Sequence, residues 1–462
     1  MHDAPRFELE SRSPLETDDV QASLAISPSQ TPAQLARRDV LRLGAASLAA
    51  ATMGVSPGPT SSQTACAPCT SSTTAATFKL AIADVATTMI DGTVLNMLGF
   101  GLLGGSVAPR VPGPVLRVKE GAAVQITICN TRREAHTFEV TEVPGSKIEL
   151  GPGCSGTVSF IAPAAGTYLY HDGLGGSPLY RILGLHGVLI VEPVAGTTAA
   201  GSPTPYSLNR LDDAQRTAIS RLFDAFGTTP RFPGGKWQPA PSNAEFSIQE
   251  KIWLLCDVDP KFSALIEPGR AIRSSPTLTK DVIGNFVSRY FTINNRSGFD
   301  AAEGEDIVAR NFIGEPTLLR VANAGLATHS NHIHGNDVFQ LTEPELDPLS
   351  PNFGAVTVSR NIFSLDTWSM FPLLRRDVLL PFEVPTDIPS RIPVANPNPA
   401  ARQFTRMVAG QTQEPLPLRY VMHCHTEMSQ TAAGGNYPQG MVTHFEILGG
   451  VDGRPKSKLA AR

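Results

Sequence analysis

The tripeptide His423-Cys424-His425 constrains this chain more than any other feature. A cysteine between two histidines can serve two separate sites only on an extended strand, where neighbouring side chains leave on opposite faces. Cys424 then binds a metal on one side, and His423 and His425 bind others on the far side. A second cluster, His329, His332 and His334, stands in the run 329–335, and Met441 lies seventeen residues beyond the cysteine. Thiolate, imidazole and a weak thioether form the ligand set of a blue-copper electron-transfer centre. The strand between the two faces is then a short covalent route for electrons. A lone histidine in a strand is more often a hydrogen-bonded structural residue. The chain has ten histidines, and five of them fall in these two clusters, which argues for metal.

A length of 462 residues allows two to four domains. A net charge of only -4 gives no pull toward nucleic acid or an anionic membrane. With 40 Gly and 39 Pro, turns are frequent, which suits short strands in sandwiches better than helical bundles. The six cysteines, at 66, 69, 129, 154, 256 and 424, do not read as a disulfide framework. Cys66 and Cys69 lie in a Ser/Thr/Ala-rich tract and read as linker or a local disulfide. Cys129 and Cys256 sit inside apolar strand patterns and read as buried thiols. Arg37-Arg38-Asp39-Val40-Leu41-Arg42 is close to a twin-arginine export signal. The weakly apolar stretch Leu43 to Met53 follows, too short to span a bilayer and fitted to a signal h-region. Export to the periplasm or beyond is expected, and no later segment reads as a membrane span.

The predicted organisation is a signal and low-complexity leader over 1–75, a first sandwich over 76–195, a connector over 196–245, a second sandwich over 246–450 and a tail over 451–462. In the first sandwich, Ala123 to Cys129 alternates as a half-buried strand should. His136 to Val140 and Gly166 to His171 are further strands, and Gly184 to Val191 closes the unit. The connector holds one amphipathic helix, Leu211 to Phe226, with Asn209 as a candidate cap. The second sandwich starts near Phe246 and runs through Ile252–Val258, Tyr290–Asn294 and Glu315–Asn323 to the histidine clusters.

The His-Cys-His segment, the Val111-Pro112-Gly113-Pro114 run and the closing Gly184-Leu185-His186-Gly187 segment resemble those of the multicopper oxidases, with two-domain laccases and copper nitrite reductases nearest in plan. The resemblance implies an all-β fold of two cupredoxin-like Greek-key sandwiches and several copper ions. It implies one-electron oxidation of a small-molecule or metal-ion donor, with dioxygen as the acceptor. By position, His329, Cys424 and Met441 match the blue-copper ligands. His332, His334, His423 and His425 match the second domain's half of a cluster that the family builds from four His-x-His pairs, and Cys424, His423 and His425 carry the electrons between sites.

In the first domain the family has His-x-His twice, and this chain has His136-Thr137-Phe138 and His171-Asp172-Gly173. His136 and His171 are therefore the implied first-domain ligands, each without its second imidazole. Ser429 stands where the blue site's second histidine is expected, with Met428 and Glu427 as substitute donors, and an insertion, Thr431 to Gln439, precedes Gly440-Met441. His186 and His444 lie in closing strands, away from the ligand positions. Relatives with two domains often form trimers, so a homotrimer is an implied assembly. Two other readings stay open. One is a non-catalytic copper-binding or electron-transfer protein. The other is a nitrite-reductase-like enzyme, whose relatives keep a blue site in the first domain, where Asp172 occupies the cysteine-equivalent position.

Overall fold

The computed structural model of the protein describes residues 78–449 apart from 105–106, 273–275, 348, 351–353 and 384–416. The export signal, the Cys66–Cys69 pair and the tail lie outside the described residues. The fold is all-β and cupredoxin-like, with two sandwiches. In the first, a four-stranded sheet runs Val94–Leu102, Phe78–Thr88, Ala123–Asn130, Ser155–Ile161. It faces a five-stranded sheet in the order Leu116–Lys119, His186–Glu192, Gly166–His171, His136–Val140, Ile148–Leu150. Strand Ala123–Asn130 shows why: Val124, Ile126 and Ile128 turn into the core, while Thr127 turns outward to bond Thr157 across the sheet at 2.8 Å.

The second sandwich repeats this plan. A six-stranded sheet begins Tyr290–Ile293, Glu250–Val258, Thr317–Asn323, Arg375–Leu380 and continues through Val338–Gln340 to Ser364–Leu365. A five-stranded sheet runs Ala309–Asn311, Val442–Ile447, Leu418–Cys424, His329–Ile333, Thr367–Met370. Its core contains Trp253, Leu255, Val321, Trp368, Met422 and Phe445, and Cys424 and Met441 belong to the same core.

The sandwiches pack head to tail. Leu169, Val188 and Ile190 on the outer face of the first five-stranded sheet meet Ile252, Leu254, Ala322 and Ala324 on the outer face of the six-stranded sheet. Strands Gly166–His171, His186–Glu192, Glu250–Val258 and Thr317–Asn323 are therefore buried along both faces. Their near-continuous apolar sequences, without alternation, follow from that.

The connector helix is Asp213–Phe226, two residues shorter at its start than the sequence suggested, and its cap is Asp212 rather than Asn209. Asp212 accepts from the Gln215 N–H at 2.9 Å and Gln215 returns a bond to the Asp212 N–H, a reciprocal arrangement that Asn209, inside the separate turn Leu208–Arg210, has no means to make. Ile219 and Phe223 pack with Tyr206 and Trp237 onto Leu318, Leu341 and Leu379 of the second sandwich. A second correction concerns Cys129, which is disulfide-bonded, as is Cys154, while Cys256 is a free buried thiol as expected. The apolar setting of Cys129 hid its pairing. No helix among the described residues is long and apolar enough to cross a membrane.

A buried charge network pins the sandwiches together. Glu250 takes Arg117 of the first sandwich at 2.7 Å and Arg320 of the second at 3.2 Å. Arg320 also reaches Asp377 at 3.1 Å, and Asp377 accepts from the Thr167 hydroxyl at 2.6 Å and the Tyr206 hydroxyl at 2.9 Å. Removing one member strands its partners without solvent, so Glu250→Ala should cost about 3–5 kcal/mol in urea unfolding. Burial pushes the Glu250 carboxyl up, but Arg320 and Arg117 outweigh it and hold the group below its ordinary value of 4.5. Its stabilisation is therefore full above that pH and fades as pH falls through the lower folded value. Glu250→Gln should flatten this acid limb of the stability curve; an unchanged limb would assign it to other carboxylates.

Candidate metal centre

Register places the two faces of the site. Leu418–Cys424 pairs antiparallel with His329–Ile333 so that His332 lies opposite His423 and Asn331 opposite Cys424. Successive side chains alternate, so Cys424 goes wholly into the core while His423 is half-exposed and His425 exposed on the outer face.

On the inner face, Cys424 Sγ lies 3.7 Å from His329 Nδ1 and accepts the Ser330 N–H at 3.3 Å. With metal–nitrogen and metal–sulfur bonds of about 2.0 and 2.3 Å, two donors of one tetrahedral ion stand roughly 3.5 Å apart, so this pair fits a shared metal. The far nitrogen of His329 is buried without a hydrogen bond, 3.7 Å from Asp257 Oδ1. Asp257 is fixed by the N–H groups of Leu326 and Ala327 at 2.9 and 3.2 Å and by the Ser288 hydroxyl at 3.1 Å. Burial pulls His329 down, but Asp257 and the Cys424 sulfur bring it up to about 9. Burial pushes the Cys424 thiol up, but His329, with the bond from the Ser330 N–H, brings it down to about 7. The sulfur is thus poised toward the thiolate, the form that binds metal.

Met441 is buried beside Cys424 in the same core cluster, and its carbonyl accepts the Cys424 N–H at 3.0 Å. Ser429 is buried and its hydroxyl bonds the Thr426 carbonyl at 2.6 Å. The proposed substitutes fare differently: Met428 is 65% exposed and Glu427 is exposed. Neither fills the place of the second imidazole. Gly440 permits the crossing beneath, since a Cβ there would stand 2.3 Å from the Ser429 carbonyl oxygen.

On the outer face, one ligand atom each from His332, His334 and His423 lies within 4.8 Å of the others, the only such three-residue group among the described residues. His334 Nε2 is 3.2 Å from His423 Nε2, close to the separation two nitrogens take on one ion. The other nitrogens are tied down: His332 Nδ1 meets the Thr367 hydroxyl at 2.8 Å, and His423 Nδ1 donates to the Cys424 carbonyl at 3.1 Å. Such bonds fix the tautomer and leave Nε2 free for metal. His425 joins at the margin, its ring 5.4 Å from that of His332. Burial first, then the neighbouring imidazoles, lower the basicity of His334. Burial also lowers His423, and the other rings add to it. Neutral imidazole is the ligating form. A cavity of about 500 Å³ lined by His332, His334, Asp337, Asp366 and Glu383 opens beside this face.

The first-domain histidines lie apart from this group. His136 is fully buried, its Nδ1 2.6 Å from Asp172 Oδ2 and its Nε2 3.5 Å from Glu134. Burial pulls its basicity down, but Asp172 and Glu134 raise it overall. His171 is 7% exposed, at the end of a strand packed against the second sandwich, with Glu139 3.9 Å away. His186 Nδ1 donates to the Arg181 carbonyl, 2.7 Å away, and His444 bonds Glu446 at 2.8 Å. Sequence reasoning missed Asp257, which is distant in the chain and becomes visible only through the packing of the 325–327 loop.

Cys424→Ser and Met441→Ala should each alter the thiolate–copper charge-transfer absorption of copper-loaded protein, the first abolishing it. Met428→Ala, Glu427→Ala and Cys256→Ser should leave the spectrum unchanged, and any change with Met428→Ala would put that side chain on the metal.

Known proteins bear on this geometry. Residues 105–196 match the family model "Multicopper oxidase". The copper-containing nitrite reductase of Alcaligenes xylosoxydans xylosoxydans is 32% identical over 125 residues, covering 25% of this chain and 36% of that protein. The chain thus aligns with about a third of that relative's length. Among solved structures, the blue copper oxidase from Nitrosomonas europaea shares the fold at TM-score 0.50 and 19% identity, over 80% of this chain and 85% of that one. The multicopper oxidase mgLAC does so at TM-score 0.50 and 20% identity, over 83% and 88%. The first sandwich thus carries the sequence signature of the multicopper oxidases, within a cupredoxin pair that shares its fold with copper oxidases and whose second sandwich presents thiolate and imidazoles on two faces of one strand.

Proposed function

We propose that this protein is a copper-dependent oxidoreductase that takes single electrons from a small-molecule or metal-ion donor and passes them to dioxygen. The observation that carries the reading is the two-faced strand, with Cys424 and His329 behind it and His332, His334, His423 and His425 in front. Copper bound at these donors supplies the redox chemistry, since thiolate and imidazole sets suit it. Cys424, His329 and Met441 would hold one ion away from water. The four outer imidazoles would hold others beside the open cavity, where a small oxidant has access. Ser330 holds the sulfur in place, and Asp257 is placed to orient His329. Between the faces the path is covalent, from the Cys424 side chain along the backbone to His423 and His425.

Oxygen uptake by copper-loaded protein against phenols, Fe(II), Mn(II) and Cu(I) tests this directly. Uptake with at least one donor, falling to the copper-free background in Cys424→Ser, is the expected result. A fully loaded protein inert toward every donor would favour the second reading, a non-catalytic copper carrier or electron-transfer protein. That reading draws on Ser429, which leaves the thiolate with one imidazole. A nitrite-reductase-like reaction has less support, because His136 is enclosed with Asp172.

Assembly and export belong to the same proposal. The outer face of the second five-stranded sheet, where Val421 is 46% exposed, is the counterpart of the face by which the first sandwich packs on the second. The same head-to-tail packing extended to further copies would cover it and close a ring, the trimer expected from the two-domain plan. Light scattering should then show a trimer. A monomer at every concentration would refute the ring. The twin-arginine pair, Arg37-Arg38, is proposed to direct the protein to the periplasm, and cell fractionation checks it.

A further inference from the structure

The two sandwiches correspond strand for strand. In each, the four leading strands of one sheet pair antiparallel, parallel, antiparallel, and the other sheet opens with a parallel pair. The register corresponds as well. In the second sandwich Cys424 lies opposite Asn331, two residues after His329, and its N–H donates to the Met441 carbonyl at 3.0 Å. In the first, Glu139 pairs with His171, so the next step sets Asp172 opposite Phe138, two residues after His136. The Asp172 N–H donates to the Leu185 carbonyl, also at 3.0 Å. Asp172 therefore holds the place of Cys424, His136 that of His329 and Leu185 that of Met441. On the other face His171 holds the place of His423, and Glu139 that of His332.

We infer that the first sandwich is a metal-free copy of the second, in which the hydrogen-bonded pair His136–Asp172 fills the frame that His329 and Cys424 form around a metal. Distances decide between the two fillings. His136 Nδ1 and Asp172 Oδ2 stand 2.6 Å apart, a direct hydrogen bond, whereas two donors sharing an ion stand roughly 3.4 Å apart. The other Asp172 oxygen is taken by the Leu174 N–H at 2.9 Å, and the Tyr180 ring closes on His136 with centroids 4.6 Å apart. Neither residue is exposed, so no solvent separates the pair. A carboxylate is also a harder donor than copper selects. The outer face is closed too, since Leu169, on the same side of the strand as His171, packs under Ile252 and Leu254. His136 is then a structural residue and not a metal ligand. The inference goes beyond the proposed oxidase reading and does not depend on activity.

Two measurements test it. Anomalous scattering at the copper edge, on crystals of copper-loaded protein, should show no metal within reach of His136; a peak between His136 and Asp172 would overturn the inference. The second restores the missing sulfur. In a Cys424→Ser background, Asp172→Cys should bind one more cuprous ion per chain than Cys424→Ser alone, measured by competition with a chromophoric Cu(I) chelator, because thiolate is the donor Cu(I) favours. No gain in a variant with unchanged circular dichroism would show that the frame is not a metal frame. Should that variant fail to fold, His136→Gln must leave the copper count of the parent intact, and a lost ion contradicts the inference. A parent that binds no copper anywhere would sink the oxidase reading, while the Asp172→Cys gain would still decide this one.

Discussion

The register between Leu418–Cys424 and His329–Ile333 is the constraint on which the site depends. Strand side chains repeat with a period of two, so a slip of one residue would send Cys424 to solvent and the imidazoles into the core. The neighbouring strands hold that register. Val442–Ile447 pairs with Leu418–His423, and Thr367–Met370 pairs with His329–His332 from the other side. Core side chains reinforce it, because Met422, Cys424 and Ile333 must all point inward to fill one cluster with Trp368 and Phe445. Folding therefore assembles the donor set without any one loop having to find it.

Burial then sets the chemistry on each face. Behind the strand, a low-dielectric pocket strengthens the interaction between His329 and Cys424, and the Asp257 carboxylate faces the far side of the imidazole at 3.7 Å. In front, four imidazoles crowd together, and burial first, then neighbouring rings, keeps His334 and His423 in the neutral form available to a cation. The two environments differ although the residues are adjacent in sequence. That difference suits one site for holding an ion away from water and the other for meeting a small oxidant.

Much of this was legible in the sequence. The His-Cys-His spacing set the strand and its two faces, the second histidine cluster set its partner, and alternation in Ala123–Asn130 marked a sandwich. What stayed hidden depended on contacts between distant segments. The resemblance already set Asp172 at the cysteine-equivalent position, yet only the packing shows it bonded directly to His136. His136 looked like a ligand because an isolated histidine carries no mark of its partner, and Asp172 is 36 residues away. Cys129 looked like a thiol for the same reason, and the helix start moved because Asp212 and Gln215 cap it reciprocally, which single-residue preferences do not show.

The central claim, that copper sits behind and in front of one strand of the second sandwich, is tested most directly by copper K-edge fine structure on the fully loaded, wild-type protein. The account expects two superposed environments, one with a short copper–sulfur bond and one with imidazole nitrogen alone, the second accounting for most of the metal. A spectrum without a sulfur neighbour, or one in which every copper carries sulfur, would contradict it.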